Sequence, residues 1–373
     1  MKILHATKKY PDAIGGDAVV VSNLESEQQR MGHEVFILTS RCHETVQKSN
    51  IFIYGITDMP SGLDKISIKR ILSLLMLSFS GFFLLSRIKP DIIHAHSPDI
   101  GFILSFQAIL FNIPVINTCH GVTFADRQFS AGKGRIELFL LKNGRFNKIV
   151  TVDKNSLPFF LKQNIKNACY ISNGVDIDCL KREDNCRSSL SEFKYLFVGR
   201  LEDQKGLKYL FQATKKLSNK ISNFKVIIVG DGSIYHYLAE LVKSYEIDNE
   251  IEFAGRVGSE KLKEIYHSCD VFVLPSIWEG MPLTLLEAFA CGLPVIVTDV
   301  GEISQICINK ENAIIVSPKN PDELCRAMLM LYEDEELREK IGKNGEITVK
   351  SGYSWGEVAE KYLNLYHSAL NLN

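Results

Sequence analysis

Short apolar runs separated by longer amphipathic stretches set the rhythm of this chain almost to its end. In the first half KILHA, EVFILTS, IFIYGI, DIIHAHS, PVINTCH, KIVTVD and ACYISN are rich in Val and Ile and do not alternate with polar residues. Runs of this kind are strands covered on both faces, as in a parallel sheet. The stretches between them, such as Asp17 to Met31 ahead of Gly32, are long enough for crossover helices. Strand, helix, strand in series predicts a doubly wound α/β layer. Residues 177–193 are polar and aperiodic, and read as a linker. After them the alternation restarts with KYLFVGR, KVIIVGDG, IEFAGRV, VFVLPS, PVIVTDV and AIIVS. The pattern from about Pro321 to Asn373 is helical. The expected organisation is one Rossmann-like unit over 1–176, the linker over 177–193, a second over 194–350 and a closing helix over 351–373 that crosses back to the first. Two such units are expected to face each other across a cleft, with ligands at the carboxyl ends of the strands.

One run departs from this rhythm. Ile71 to Ser86, ILSLLMLSFSGFFLLS, carries no charge and is bracketed by Lys65, Lys69 and Arg70 before and by Arg87 and Lys89 after. It falls short of the roughly 20 apolar residues of a spanning helix. Two readings stay open: a buried helix packed on the sheet, or a helix lying in the membrane interface with its cations at anionic headgroups.

Charge favours some partners over others. The 373 residues sum to −1, but residues 1–176 carry 20 Lys and Arg against 14 Asp and Glu, and the remainder 23 against 30. A basic first half predicts an anionic partner there, and a membrane surface fits. No basic run is interleaved with aromatics, so no nucleic acid is expected. Nine cysteines at scattered spacings read as reduced thiols, not as a disulfide frame or zinc site. MKILHATKKYP lacks the apolar core of a signal peptide, so the chain is expected in the cytoplasm, with a peripheral place on the cytoplasmic face of the membrane as the second option.

Four constellations carry candidate chemistry. Gly199, Arg200 and Lys205 follow the strand KYLFV in a loop that precedes a helix from about Gly206. An Arg fork and a mobile Lys charge suit a polyphosphate, a surface loop with solvated cations being the plain alternative. In PSIWEGMPLTLLEAFACGLPVIVTD, Pro282 is placed as the first residue of a helix that ends at Gly292 and Pro294. Glu279 then lies in the loop before the helix and Glu287 within it, about 10 Å apart, on different parts of a ligand. The helix start offers free N–H groups to a phosphate. Gly15 and Gly16, between the first strand and helix, allow a ligand close to the backbone. His120 ends the strand PVINTC. His94 and His96, in HAHS, are read as pointing to opposite faces of their strand, and so are assigned no shared ion and a structural or acceptor-side place. Asp176-Ile177-Asp178 is a D-x-D string with no further ligand nearby, and no metal is assigned to it.

Taken in order, YPDAIGGDAVVVSNL, GHEVFILT, PDIIHAH, CHG, ISNGVD, FVGRLEDQKGL, VGDG, FAGRV, the Glu279–Glu287 segment and YSW resemble the retaining GT-B glycosyltransferases of sequence family 4 along nearly the whole chain. The resemblance implies an α/β GT-B fold and transfer of a hexose or N-acetylhexosamine from a nucleotide-diphosphate sugar. A UDP-sugar comes first, GDP-mannose second, and the acceptor is a lipid-linked or other glycan of envelope polysaccharide or glycolipid assembly. No cofactor or metal is implied. Arg200 and Lys205 would bind the diphosphate with the backbone of Leu283 and Thr284. Glu287 would take the ribose hydroxyls, with Arg256 and Val257 beside the base. Glu279 would hold the transferred sugar, next to Met281 and Pro282. His120 would contact that sugar near the reacting carbon, and Gly16 would approach the phosphates. A phosphate oxygen of the leaving group would take the acceptor's proton, so no side-chain base is required.

The sequence departs from the family pattern at Val300-Gly301-Glu302-Ile303-Ser304-Gln305, where Glu302 replaces a second glycine and Gln305 an acid. That puts a local backbone contact to phosphate in question. Beside a transferase, the same residues would serve a non-catalytic nucleotide-sugar-binding subunit. A metal-dependent enzyme of the other glycosyltransferase fold finds only Asp176 and Asp178.

Overall fold

Every apolar run of the pattern forms a strand. The computed structural model of the chain describes residues 1–10, 16–40, 50–54, 68–121, 131–180 and 192–371. In chain order the elements are β1 (Lys2–Thr7), α1 (Gly16–Arg30), β2 (Glu34–Thr39), β3 (Ile51–Ile53), α2 (Ile68–Ile88), β4 (Ile92–Ala95), α3 (Pro98–Ile109), β5 (Val115–Cys119), α4 (Ala131–Asn143), β6 (Lys148–Thr151), α5 (Leu157–Lys162) and β7 (Ala168–Tyr170). There follow α6 (Ile177–Leu180), β8 (Phe193–Val198), α7 (Leu207–Ser218), β9 (Phe224–Val229), α8 (Tyr235–Ser244), β10 (Ile251–Gly255), α9 (Ser259–Ser268), β11 (Val271–Leu274) and α10 (Leu283–Ala290). The chain closes with β12 (Val295–Thr298), α11 (Ile303–Ile306), β13 (Ile314–Val316), α12 (Pro321–Glu333), α13 (Glu335–Lys350) and α14 (Trp355–Leu370).

These elements form two units, Met1–Asn173 with Trp355–Asn373, and Gly174–Ser354. The first is a seven-stranded sheet ordered β3-β2-β1-β4-β5-β6-β7. All its pairings are parallel. Its core of Leu4, Ala6, Leu38, Ile93, Val115 and Ile149 is roofed by Leu77, Leu84 and Leu85 of α2 and by Ile100 and Leu104 of α3. The crossovers reverse direction between β1 and β4, which opens a crevice at the carboxyl ends of those strands. α14 belongs to this unit. It packs on α1 and buries Val358, Ala359, Tyr362, Leu363 and Tyr366.

The apolar run lies within α2. One side buries Leu77, Leu84, Leu85 and Ile88, while Leu72, Leu75, Phe79, Phe82 and Phe83 stay exposed. No helix among the described residues is long and apolar enough to cross a membrane.

The second unit is a six-stranded sheet ordered β10-β9-β8-β11-β12-β13, again wholly parallel. Its switch point lies between β8 and β11. The expected linker is partly structured: Ile177–Leu180 form α6, and Phe193 already opens β8, while 181–191 lie outside the described residues. Asp176 caps α6 by accepting the Cys179 N–H at 3.0 Å, which gives the D-x-D string a local structural use. The helix of the Glu279–Glu287 segment begins one residue later than expected, with Pro282 as its cap and Leu283 as its first residue.

At the switch point the chain needs glycine. Gly206 sits at φ +68, and a Cβ there would lie 2.0 Å from the carbonyl oxygen of Pro275. A side chain at this position meets both left-handed strain and rigid backbone. Gly206→Ala should therefore lower the melting temperature of the second unit by about 5–10 °C, as a loss of about 2–3 kcal/mol does in a unit of this size. A calorimetric scan resolving the two units checks this.

Candidate functional site

The loops after β8 and β11 meet where the strand order reverses. Gln204 joins them: its backbone oxygen accepts the Ile277 N–H at 2.8 Å, and its side-chain amide donates to the Trp278 oxygen at 2.9 Å. A 3-10 turn over Asp203–Lys205 then directs Lys205 at Glu279. Lys205 Nζ lies 2.6 Å from Glu279 Oε1, and that oxygen also accepts the Ser276 hydroxyl at 2.6 Å. The pair is nearly sealed from water, with 14% of the Lys205 side chain and 6% of the Glu279 side chain exposed. Low exposure strengthens the attraction, and removal of either partner strands the other.

Arg200 is arranged differently. Its guanidinium bonds Glu202 at 2.8 Å, in a pair exposed to solvent. An exposed pair of this kind holds the Arg loosely and leaves its fork available to a ligand. Behind the loops, Gly301 at φ +56 would place a Cβ 1.9 Å from the backbone carbonyl oxygen of Glu279. Glu302, which departs from the family pattern, is buried, and its backbone N–H donates to the Gly280 oxygen at 3.2 Å. That N–H is spent within the fold.

α10 starts beside this pair. Its first N–H groups, those of Leu283 and Thr284, have no acceptor within the helix and give it a positive end. Met281 and Pro282 are buried in the approach, whereas Leu283 and Thr284 are half-buried. Glu287, one turn further, accepts the Tyr266 hydroxyl at 2.8 Å. Burial raises its carboxyl above the ordinary range, and the Tyr266 hydrogen bond offsets part of that rise. Burial likewise lifts the Tyr266 phenol well above its usual value, with the Glu287 charge adding to it. Gly199 follows β8 directly, while Arg256, exposed, and Val257, half-buried, follow β10 two strands away. The second unit thus joins Lys205 to Glu279 directly, and places Arg200 and Glu287 with other partners.

The first unit gathers a second constellation. Gly16 opens α1, and Gly15 lies outside the described residues. His120 follows β5, and its ring stacks on His96 with centroids 5.4 Å apart. The expectation that His94 and His96 face opposite ways is corrected. Side chains two positions apart on a strand share a face, and the two rings stand 4.1 Å apart. With His5 of β1 they form a buried cluster whose ligand atoms lie within 4.8 Å of one another. Burial lowers His5 to about 4 and holds His94 and His96 well below their usual value. It lowers His120 too, against the opposing charge of Asp17. Beside them Lys8, at the end of β1, pairs with buried Asp99 of α3 at 2.9 Å.

Sequence reasoning passed over Ser276, Tyr266 and Gln204 in the second unit, and His5, Gln28, Tyr362, Tyr366, Lys8 and Asp99 in the first. Only His5 and Lys8 carried a signal, since both close on the carboxyl half of the first strand run.

Two wholly parallel sheets in separate units, each with charged or ionisable groups at its switch point, have the architecture of the GT-B fold. Residues 183–348 match the sequence profile of glycosyl transferases group 1, and residues 14–179 that of glycosyltransferase family 4. An uncharacterized glycosyltransferase of Methanocaldococcus jannaschii is 30% identical to this chain, over 95% of each. A UDP-Gal:α-D-GlcNAc-diphosphoundecaprenol α-1,3-galactosyltransferase of Escherichia coli is 29% identical over 76% of each. Sucrose-phosphate synthase from Thermosynechococcus elongatus superposes with a TM-score of 0.86 over 100% of both chains at 21% identity, a likeness of fold. The chain belongs to the glycosyl transferases group 1 family.

The raised Glu287 carboxyl has a consequence for stability. Its folded form binds a proton more readily than the unfolded chain does, so stability falls as pH rises from the unfolded value of about 4.5 through the folded one. Glu287→Gln keeps the size of the side chain and removes this loss. The variant is expected to melt at a higher temperature than wild type at pH 7, with the gap closing towards pH 4. Melting curves across this range check it, and an equal gap at both ends would contradict it.

Proposed function

We propose that this glycosyltransferase moves a hexose or N-acetylhexosamine from a nucleotide-diphosphate sugar to a hydroxyl of a lipid-linked glycan, with retention of configuration and without a metal. The observation that carries this reading is the shielded Lys205–Glu279 pair beside the start of α10. A diphosphate there meets a cation already held in place, two free backbone N–H groups and the Arg200 fork. Glu279, fixed by Ser276 and Lys205, keeps an oxygen for the hydroxyls of the sugar. Glu287, set deeper along α10, suits the ribose.

On this reading the bond from the anomeric carbon to the leaving phosphate oxygen breaks, and the acceptor oxygen bonds that carbon from the same face. The acceptor's proton passes to a phosphate oxygen. Lys205, Arg200 and the start of α10 stabilise the charge that grows on the leaving diphosphate, so catalysis is chiefly electrostatic. The cationic groups neutralise the diphosphate in place of a divalent ion. UDP-sugars are favoured as donors over GDP-mannose, in line with the donor in the name of the Escherichia coli relative.

That relative's name also places its acceptor sugar on a lipid diphosphate. The first unit has a surface suited to lipid. Phe79 and Phe83 of α2 are 79% and 67% exposed, and Phe106, Ile109 and Leu110 at the end of α3 and Phe139 of α4 are also exposed. Ring contacts link α2 to the residues just after α3 through Phe82 and Phe111, and α3 to α4 through Phe102 and Phe139. Exposed Arg87, Lys89, Arg135, Lys142 and Arg145 lie on the same helices or at their ends. Apolar side chains rimmed by cations fit the interface of an anionic bilayer.

Lys205→Ala should lower turnover at least a hundredfold, about 3 kcal/mol in the barrier. Near-normal turnover at saturating donor would remove Lys205 from this role. In the same assay EDTA leaves turnover intact, and NMR of the product shows the donor's anomeric configuration. A UDP-sugar raises the melting temperature more than a GDP-sugar does. For the membrane surface, Phe79→Asp with Phe83→Asp should weaken binding to phosphatidylglycerol-containing vesicles at least tenfold. Wild-type protein that ignores such vesicles at low salt would end that part of the reading.

A further inference from the structure

The buried polar residues of the first unit form two hydrogen-bonded chains that share one amide, that of Gln28 on α1. In the first chain Gln28 Oε1 lies 2.8 Å from His5 Nε2, His5 Nδ1 lies 2.9 Å from His96 Nε2, and His96 Nδ1 lies 3.2 Å from His120 Nε2. In the second, the Gln28 amide nitrogen donates to the Tyr366 hydroxyl at 3.4 Å, and that oxygen lies 2.6 Å from His94 Nδ1. His94 Nε2 is 2.7 Å from the Thr118 hydroxyl, which is 3.2 Å from that of Tyr362. Every ring nitrogen of His5, His94 and His96 is engaged.

A carbonyl oxygen only accepts, and a neutral imidazole has one donor and one acceptor. With Gln28 Oε1 facing His5, each proton along the first chain is assigned. His5 donates from Nε2, His96 donates from Nε2 to His5, and His120 donates from Nε2 to His96. In the second chain Tyr366 donates to His94 Nδ1, and His94 donates from Nε2 to Thr118. All four imidazoles then carry the proton on Nε2, the tautomer that a free imidazole side chain prefers. Turning the Gln28 amide over would drive all four to Nδ1–H. The orientation assigned to the amide is thus the one that the rings themselves favour. Burial keeps these rings neutral, so the chain holds direction without holding charge.

We propose that Gln28 is a positioning residue which, through His5 and His96, fixes His120 as the Nε2–H tautomer and leaves its Nδ1 as a hydrogen-bond acceptor for a sugar hydroxyl. The His120 ring is partly exposed, and among the described residues its Nδ1 has no hydrogen-bond partner. An imidazole anchored in this way takes a hydroxyl proton into a hydrogen bond and offers none, so it discriminates the direction of that bond. The sugar as ligand rests on the function proposed above. The tautomer does not.

Nitrogen-15 NMR of histidine-labelled full-length protein, without donor, reads each ring directly. In wild type the expected Nδ1 resonance of His120 sits at the deprotonated limit, as do those of His5, His94 and His96. In Gln28→Leu the His120 signal moves toward the averaged position of an imidazole with no fixed partner. Tyr366→Phe, which leaves the amide without its second anchor, moves it the same way should Gln28→Leu fail to fold. Thr118→Val, close in sequence but on the other chain, leaves His120 where it was. Gln28→Leu also lowers kcat roughly tenfold, on the scale at which the outer partner of an orienting histidine acts.

An Nδ1–H tautomer at His120, or a His120 signal unmoved by both Gln28→Leu and Tyr366→Phe, overturns the proposal. So does stoichiometric metal on His5, His94 and His96 found by elemental analysis of the purified chain. If the tautomers are as expected while His120→Asn leaves transfer intact, the chain of protons stands and the sugar contact falls.

Discussion

The parallel sheet, buried on both faces, is the constraint from which the chemistry of this protein follows. Strands so enclosed tolerate little that is polar except a few fully paired groups, and helices cover what the strands leave. Ionisable groups are therefore driven to the loops at the carboxyl ends, and most of all to the gap where the crossovers change direction. In the second unit that gap holds Lys205 and Glu279. In the first it holds His96, His120 and the Lys8–Asp99 pair. The same geometric rule, applied twice in one chain, yields a charged site in one case and a mostly neutral one in the other.

The difference lies in how each unit compensates burial. The buried Glu279 carboxyl is answered by a lysine and a serine that both reach one of its oxygens. Burial keeps the histidines neutral, and His5, His94 and His96 each find both a donor and an acceptor. Either solution is stable only while complete, since a buried polar group without its partner costs more than the bond it lost contributed. That explains why glycines at Gly206 and Gly301 press so closely on the backbone of Pro275 and Glu279. They let the loops approach near enough to close the set.

Much of this was legible in the sequence. The strand runs were, because burial on both faces removes polar residues and leaves a plain apolar signal. The places of Lys205, Glu279 and Glu287 in the fold were, because strand ends and a helix start are local in sequence, but the direct pairing of Lys205 with Glu279 was not. What escaped depended on loop conformation or on distance along the chain. Ser276 lies three residues from Glu279 in a loop where no periodicity marks a contact, and Tyr266 reaches Glu287 from α9. His94 and His96 were misplaced by a misapplied alternation rule, although their spacing puts them on one face. Gln28, Tyr362 and Tyr366 look like ordinary helix residues until α1 and α14 are laid together.

α14 gives the first unit an unusual dependence on time. Residues 174–354 build the second unit before Trp355–Leu370 are reached, yet Tyr362 and Tyr366 complete the hydrogen bonds of Thr118, Gln28 and His94. Any part of the first sheet that forms during synthesis does so with these groups unanswered, and its interior is complete only once the last helix is in place. The second unit has no such debt, since its residues run without interruption. The order in which the ribosome delivers the chain is thus the reverse of the order in which the two interiors can be completed.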